Sequence, residues 1–179
     1  SLKSVRNLLS KYPDSPLRKK ARQREIKESE EISEENTQHL FESFVKDYPG
    51  DIEMKYLYAQ WLKKKDKTET AKEIFKEIYT GAGPLSELAY KELSPSDIGV
   101  EDMLGRAMNI MKVRNFKEAD SVLRSALERD DGSLRNEILK FLGLSLFRQK
   151  RYLEAAEVYE KADEKGIQCC PRGTSQGGR

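Results

Sequence analysis

NEILKFLGLSLFRQKRYLEAAEVYEKA, residues 136–162, carries two amphipathic helical patterns joined by a short polar break. Apolar or small residues recur at Leu139, Leu142, Gly143 and Leu146 in the first pattern, and at Tyr152, Ala155, Tyr159 and Ala162 in the second. That spacing puts each set on one stripe of a helix. Gly143 and Ala155 are small enough to let two antiparallel helices approach, and Leu139, Leu146, Tyr152 and Tyr159 are expected to fill the groove around their contact. The two small positions are 12 residues apart, and the same interval separates Ala59 from Ala71 and Ala107 from Ala119. Large apolar residues accompany each pair, with Leu62 and Phe75 in one copy and Ile110, Phe116 and Leu123 in the next. Ala119 to Ala155 is 36 residues but Ala71 to Ala119 is 48, so about a dozen residues are inserted between these units, near residues 80–98.

With Asn136 as the first position of a 34-residue unit, residues 136–162 resemble one tetratricopeptide-type hairpin. The resemblance implies an all-α fold of stacked antiparallel helical hairpins, a superhelical α-solenoid in which each hairpin buries its stripe only against its neighbours. Ile167 stands where that repeat has proline, and Pro171 comes too late to serve. Residues 1–166 are expected to hold about four hairpins, and residues 167–179 to be an unstructured tail or a truncation scar.

Earlier in the chain, LLSKYPDS (residues 8–15) and FVKDYPGD (residues 44–51) align at an offset of 36, each ending a helix at Tyr-Pro. Leu2, Val5, Leu8 and Leu9 stripe the first of these helices, and Leu40, Phe41, Phe44, Val45 and Tyr48 the other, which starts at Ser33-Glu34-Glu35. Between them residues 17–29 are mostly charged, with sparse apolar positions at Leu17, Ala21 and Ile26, and read as a largely exposed helix. In the insert, Gly81-Ala82-Gly83-Pro84 reads as a helix stop and residues 86–93 as a short helix. Ser94-Pro95-Ser96-Asp97 then has the chemistry of a helix start.

Charged residues make up 36% and apolar ones 37%, a lean core under solvated faces. A net charge of +2 with interspersed signs offers no extended basic field for nucleic acid or an anionic membrane. No stretch reaches the roughly 18 apolar residues of a membrane span, and no tripartite leader pattern opens the chain. Ser1 in place of a start methionine, directly inside an amphipathic pattern, reads as a fragment of a longer protein. Cys169 and Cys170 are adjacent, so they pair with each other only through a strained ring, and with His39 as the one histidine they cannot complete a tetrahedral metal shell. No catalytic, cofactor-binding or metal-ligating residue is identified, and no cofactor is expected. His39 has no nucleophile or acid partner placed by any motif.

The order of features also resembles the N-terminal superhelical region of soluble lytic murein transglycosylases. The segments that carry the likeness are residues 8–21, 56–79 (YLYAQWLKKKDKTETAKEIFKEIY), 81–98 (GAGPLSELAYKELSPSDI) and 103–123 (MLGRAMNIMKVRNFKEADSVL). The resemblance implies a non-catalytic domain of a periplasmic enzyme, organising access of peptidoglycan glycan strands to a C-terminal lysozyme-like domain that this chain lacks. That family's catalytic glutamate sits in a Glu-Ser motif, and Glu28-Ser29 and Glu42-Ser43 lack the residues that follow it. Neither context promises the apolar cleft that raises a carboxyl pKa. The alternative is a stand-alone scaffold that binds a protein or peptide on its concave face. Trp61, Tyr56 and Tyr58 are candidate surface contacts for a sugar, against a competing role, shared by Tyr90, in packing between helices.

The register generates a test. Ala155→Leu overpacks the helix crossing and is expected to cost about 1–3 kcal/mol, whereas Lys161→Leu on the solvent face does little. Thermal denaturation of the two variants checks this, and an unchanged melting temperature for Ala155→Leu would show the register to be wrong.

Overall fold

Residues 2–30 and 34–163 are described by the computed structural model, and every regular element among them is helical. In chain order α1 is Leu2–Lys11, α2 Arg18–Ser29, α3 Glu34–Asp47, α4 Ile52–Lys64 and α5 Thr68–Tyr79. The insert follows as α6 Pro84–Lys91 and a single 3-10 turn Pro95–Asp97, and then α7 Val100–Lys112, α8 Phe116–Arg129, α9 Arg135–Arg148 and α10 Tyr152–Asp163. The fold class is the all-α arrangement of antiparallel hairpins that the spacing implies. No helix among the described residues is long and apolar enough to cross a membrane. The start at Ser33, the tail and both cysteines lie outside the described residues.

The chain forms two compact units, Ser1–Ile78 and Tyr79–Arg179. In the second, α7, α8, α9 and α10 pack consecutively, and α7 also touches α9. Their cores are the expected stripes. Ala107, Ile110, Ala119, Leu123, Ala126, Leu139, Leu142 and Leu146 are all at most 2% exposed. The α9–α10 crossing is tightest at Gly143, where an added Cβ would stand 2.7 Å from Cε1 of Tyr159. Only a residue without Cβ lets that ring lie against the backbone of α9. Tyr152 does not join this groove as the stripe predicts. It is 56% exposed and sets its ring edge-on to Phe147, with centroids 5.3 Å apart, because the first residue of α10 projects beyond the crossing.

The insert is held by two arginines. Arg106 on α7 is 4% exposed; its guanidinium donates to the Tyr79 carbonyl at 2.9 Å, to Glu118 at 2.9 Å and to Glu87 of α6, and stacks over the Tyr79 ring. Arg129 on α8 donates to the carbonyls of Pro95 and Ile98 at 3.0 and 2.6 Å. The Ser94-Pro95 start therefore yields one turn and not a long helix. Ile98, 2% exposed, leaves the turn in extended conformation to reach the core, and α7 begins afresh after Gly99.

The first unit departs from expectation at α2. Although its sequence is charged, Arg22, Glu25, Ile26 and Ser29 are buried. Polar pairs do the joining: Arg6 to Glu25 at 2.8 Å on the α1 side, Arg22 to Ser43 at 2.8 Å and to Asp47 on the α3 side, and Ser29 to Thr37 at 3.0 Å. A helix with few apolar residues is buried here because its charged groups meet opposite charges or hydrogen-bond partners, which removes most of the desolvation penalty. In α4 and α5 the small residues reappear in the core, with Tyr56 edge-on to Phe75 and Lys55 paired with Glu77. Asp51 caps α4, its carboxylate accepting from the Met54 N–H at 3.0 Å.

The same turn closes three of the hairpins. Asp66, Arg114 and Lys150 have φ of 59°, 64° and 64°, the left-handed region, each 7 residues after its small residue Ala59, Ala107 or Gly143. The N–H one residue later reaches back to the carbonyl of Leu62, Ile110 or Leu146 at 3.0, 3.2 and 3.0 Å, and the left-handed residue donates to Lys63, Met111 or Phe147. These are Schellman caps built without glycine. Since a side chain in this region costs about 1–2 kcal/mol and glycine gives back about half of that in unfolded-chain entropy, Lys150→Gly at this exposed position is expected to stabilise by about 0.5–1 kcal/mol. A control in mid-helix, Lys140→Gly on the exposed face of α9, should instead destabilise by about 1 kcal/mol. Urea denaturation of both reads the difference in sign.

Candidate partner-binding groove

Where α7 and α9 lie side by side they leave an open groove of about 420 Å³. Met108 and Met111 of α7, Phe116 of α8, and Phe141 and Leu144 of α9 make its apolar surface, and Lys112, Arg114 and Arg148 its charged part. The repeat explains the pairing. Met108 and Leu144 each follow the small residue by one position, and Lys112 and Arg148 follow it by 5, so the two helices offer equivalent residues to one strip. This stripe flanks the core-facing one on each helix, and its apolar residues are half-buried with one side left open.

Polar contacts fix the walls. Ser145 Oγ donates to the Phe116 carbonyl at 2.8 Å, and Gln149 Nε2 reaches the same oxygen at 3.3 Å, tying α9 to the start of α8. Asp120, 8% exposed, accepts from Arg124 and from Arg151 at 2.8 Å each, which joins α8 to the turn before α10. The Phe147–Tyr152 pair lies one turn beyond Leu144, and both rings are exposed. Lys112 Nζ meets the Asn109 side-chain oxygen at 2.9 Å, while Arg114 and Arg148 form no ion pair among the described residues.

The residues singled out from sequence lie elsewhere. Ala59, Ala71, Ala107, Ala119 and Ala155 are at most 2% exposed and Gly143 is buried, so they set helix spacing and touch no open surface. Trp61 and Tyr58 are no sugar-stacking surface: each is 6% exposed, packed on Phe41 with ring centroids at 5.8 and 5.1 Å. Tyr56 is half-buried on Phe75. Trp61 and Tyr58 are drawn inward because α3 supplies Phe41 facing them, and Tyr56 leans on α5 instead. His39 is exposed. Of the two Glu-Ser pairs, Glu28 has its carboxyl held below the usual range by the hydrogen bond from Arg24, the opposite of what an acid catalyst needs, and Ser29 is buried on the Ile26 carbonyl and Thr37. Among the described residues no cluster of three His, Cys, Asp or Glu is placed to hold a metal ion. The groove residues were readable in principle, since they stand at fixed offsets from the small positions, but an apolar stripe on the open side looks in sequence like a wider core stripe.

Residues 104–168 match the family model for the tetratricopeptide repeat, a span that includes the whole groove. Neither curated proteins nor solved structures give a match to the chain. The chain thus contains a tetratricopeptide-like helical domain, and nothing in the match points to a lytic transglycosylase.

Burial raises the phenol pKa of Tyr58, and Glu42, which accepts its proton at 3.2 Å, raises it further. A raised folded-state pKa means that stability is fully present below the unfolded value of about 10 and is lost as pH climbs above it, because only the unfolded phenol ionises there. Tyr58→Phe is therefore expected to lose less stability than the parent between about pH 9 and about pH 11, as read by urea denaturation at the two pH values.

Proposed function

We propose that this chain is a non-catalytic protein-interaction scaffold that receives a segment of a partner protein in the groove between α7 and α9. The observation that carries the reading is an open apolar strip made by equivalent residues of two successive repeats, inside the region that matches the tetratricopeptide model. An open apolar strip gives a guest side chain a surface to bury against, and Met108 and Met111 add side chains that adapt to different partners. Such a groove fixes a guest by burying its apolar side chains, with no group on the chain required to change bond or charge.

The resemblance of residues 8–123 to the transglycosylase region supports a second reading, in which the parent is a periplasmic peptidoglycan enzyme and the domain organises the glycan strand. Inward burial of Trp61 and Tyr58 removes the aromatic surface on which that reading would have stacked sugar rings. The first reading is preferred on that ground.

A peptide-array screen with the purified chain, set beside the same screen with Leu144→Asp, tests the proposal. Peptides bound by the parent should be weakened at least about tenfold by a charge in the apolar strip, a loss of about 1.4 kcal/mol or more, while Lys161→Asp leaves them unchanged. Binding that ignores Leu144→Asp, or measurable binding of purified glycan strands with none of peptides, would overturn it.

A further inference from the structure

Basic residues are not scattered at random around this groove. Arg6, Arg22, Arg24, Arg106, Arg124 and Arg151 all pair with carboxylates inside their own unit. Arg129 is spent on the Pro95 and Ile98 carbonyls. Arg114 and Arg148 take no such partner among the described residues; of the remaining described arginines only Arg18 and Arg135 share that state, and neither lines the groove. Lys112 is the third cation at the same end, and no Asp or Glu lines the cavity.

Two ordinary explanations account for only part of this. Lys112 and Arg148 lie in the last turns of α7 and α9, where a cation offsets the partial negative charge of the helix end. Arg114 lies past the end of α7, however, and its turn does not demand a cation, since Asp66 holds the equivalent left-handed position in the α4–α5 turn. The acids of the two groove helices sit at the far end, with Glu101 and Asp102 in the first turn of α7 and Glu137 in the first turn of α9. The cavity therefore carries cations at one end of an apolar floor, and the acids of its two helices lie outside its lining.

Resting on the reading of this groove as a partner site, we infer that its occupant is an acidic segment of another protein. The segment carries large apolar side chains that settle between Met108 and Leu144, and its Asp or Glu residues lie at the turn end against Lys112, Arg114 and Arg148. Complementary charge of this kind sets partner choice and orientation, and raises the rate of encounter, more than it adds raw affinity. The apolar floor supplies the affinity that exposed ion pairs, screened by salt, cannot. Basic segments are rejected at the same end by like charge.

Three fluorescein-labelled peptides of about twelve residues test the inference by anisotropy with the full chain: one with two leucines and four glutamates, the same with the glutamates as lysines, and the acidic one with leucines replaced by serine. The first should bind at least about tenfold more tightly than either other, and its advantage over the lysine peptide should shrink as salt rises from about 0.05 to 0.5 M. Lys112→Glu with Arg148→Glu should reverse the order of the acidic and basic peptides. Arg114→Gly serves as the second variant, because it removes a cation while relieving the left-handed side chain, so weaker binding by a protein that melts no lower cannot be blamed on misfolding. Equal binding of the acidic and lysine peptides, both lost in Leu144→Asp, would overturn the charge inference and leave the groove reading standing. Binding untouched by Leu144→Asp, or none with any peptide at about 1 mM, would overturn both. A single-stranded RNA oligonucleotide held as tightly as the acidic peptide would overturn the choice of a protein segment.

Discussion

Two helices can cross closely only where neither carries a side chain that holds them apart, and the hairpins here are built on that constraint. At Gly143 the partner is the face of the Tyr159 ring, within reach of the α9 backbone. Ala59 with Ala71 and Ala107 with Ala119 recur at the same interval in the chain and sit fully in the cores of their hairpins. Everything downstream inherits its register from these positions. The large residues one helical turn away point into the core, the turn residues fall at a constant distance along the chain, and the residues just past the small ones point out into the groove.

The helices and the hairpin pairing were legible because amphipathic spacing and small-residue spacing are both periodic, and each copy confirmed the others. What was not legible has physical causes that differ from place to place. The burial of α2 depends on partners 8 to 28 residues away, such as Asp47 for Arg22, and a charged helix with distant partners looks in sequence like a solvated one. Tyr152 occupies a core position of the stripe, yet it opens its helix and so projects beyond the crossing. Trp61 and Tyr58 are read from sequence as helix packing ahead of a sugar contact, and what draws them into the core is Phe41, a residue of another helix. The left-handed turns were missed because glycine, the usual marker, is absent from all three.

The groove illustrates a different limit. Periodicity reports which face of a helix is apolar, but not which of two apolar faces is covered. α7 and α9 carry apolar residues on more than one side, and only the packing of α8 and α10 shows that Met108 and Leu144 stay open. The insert is a related case. Its short helix was expected from its proline and glycines, but what attaches it is a buried guanidinium on α7 that satisfies a helix-end carbonyl and two carboxylates together. Such a group tolerates burial only while all of its bonds are made.

The polar joint around α2 has a thermal consequence. Exposing apolar surface on unfolding raises the heat capacity, whereas exposing polar surface lowers it. The α9–α10 crossing, lined by leucines, Gly143 and the Tyr159 ring, draws on a driving force that fades on cooling. The contacts of Arg22, Glu25 and Ser29 with their neighbours draw on one that does not fade in that way. Cold and heat should therefore not loosen the molecule in the same order. Near freezing, the leucine-lined hairpins lose the larger share of their margin, while the charged helix, which looked least suited to being buried, keeps its hold.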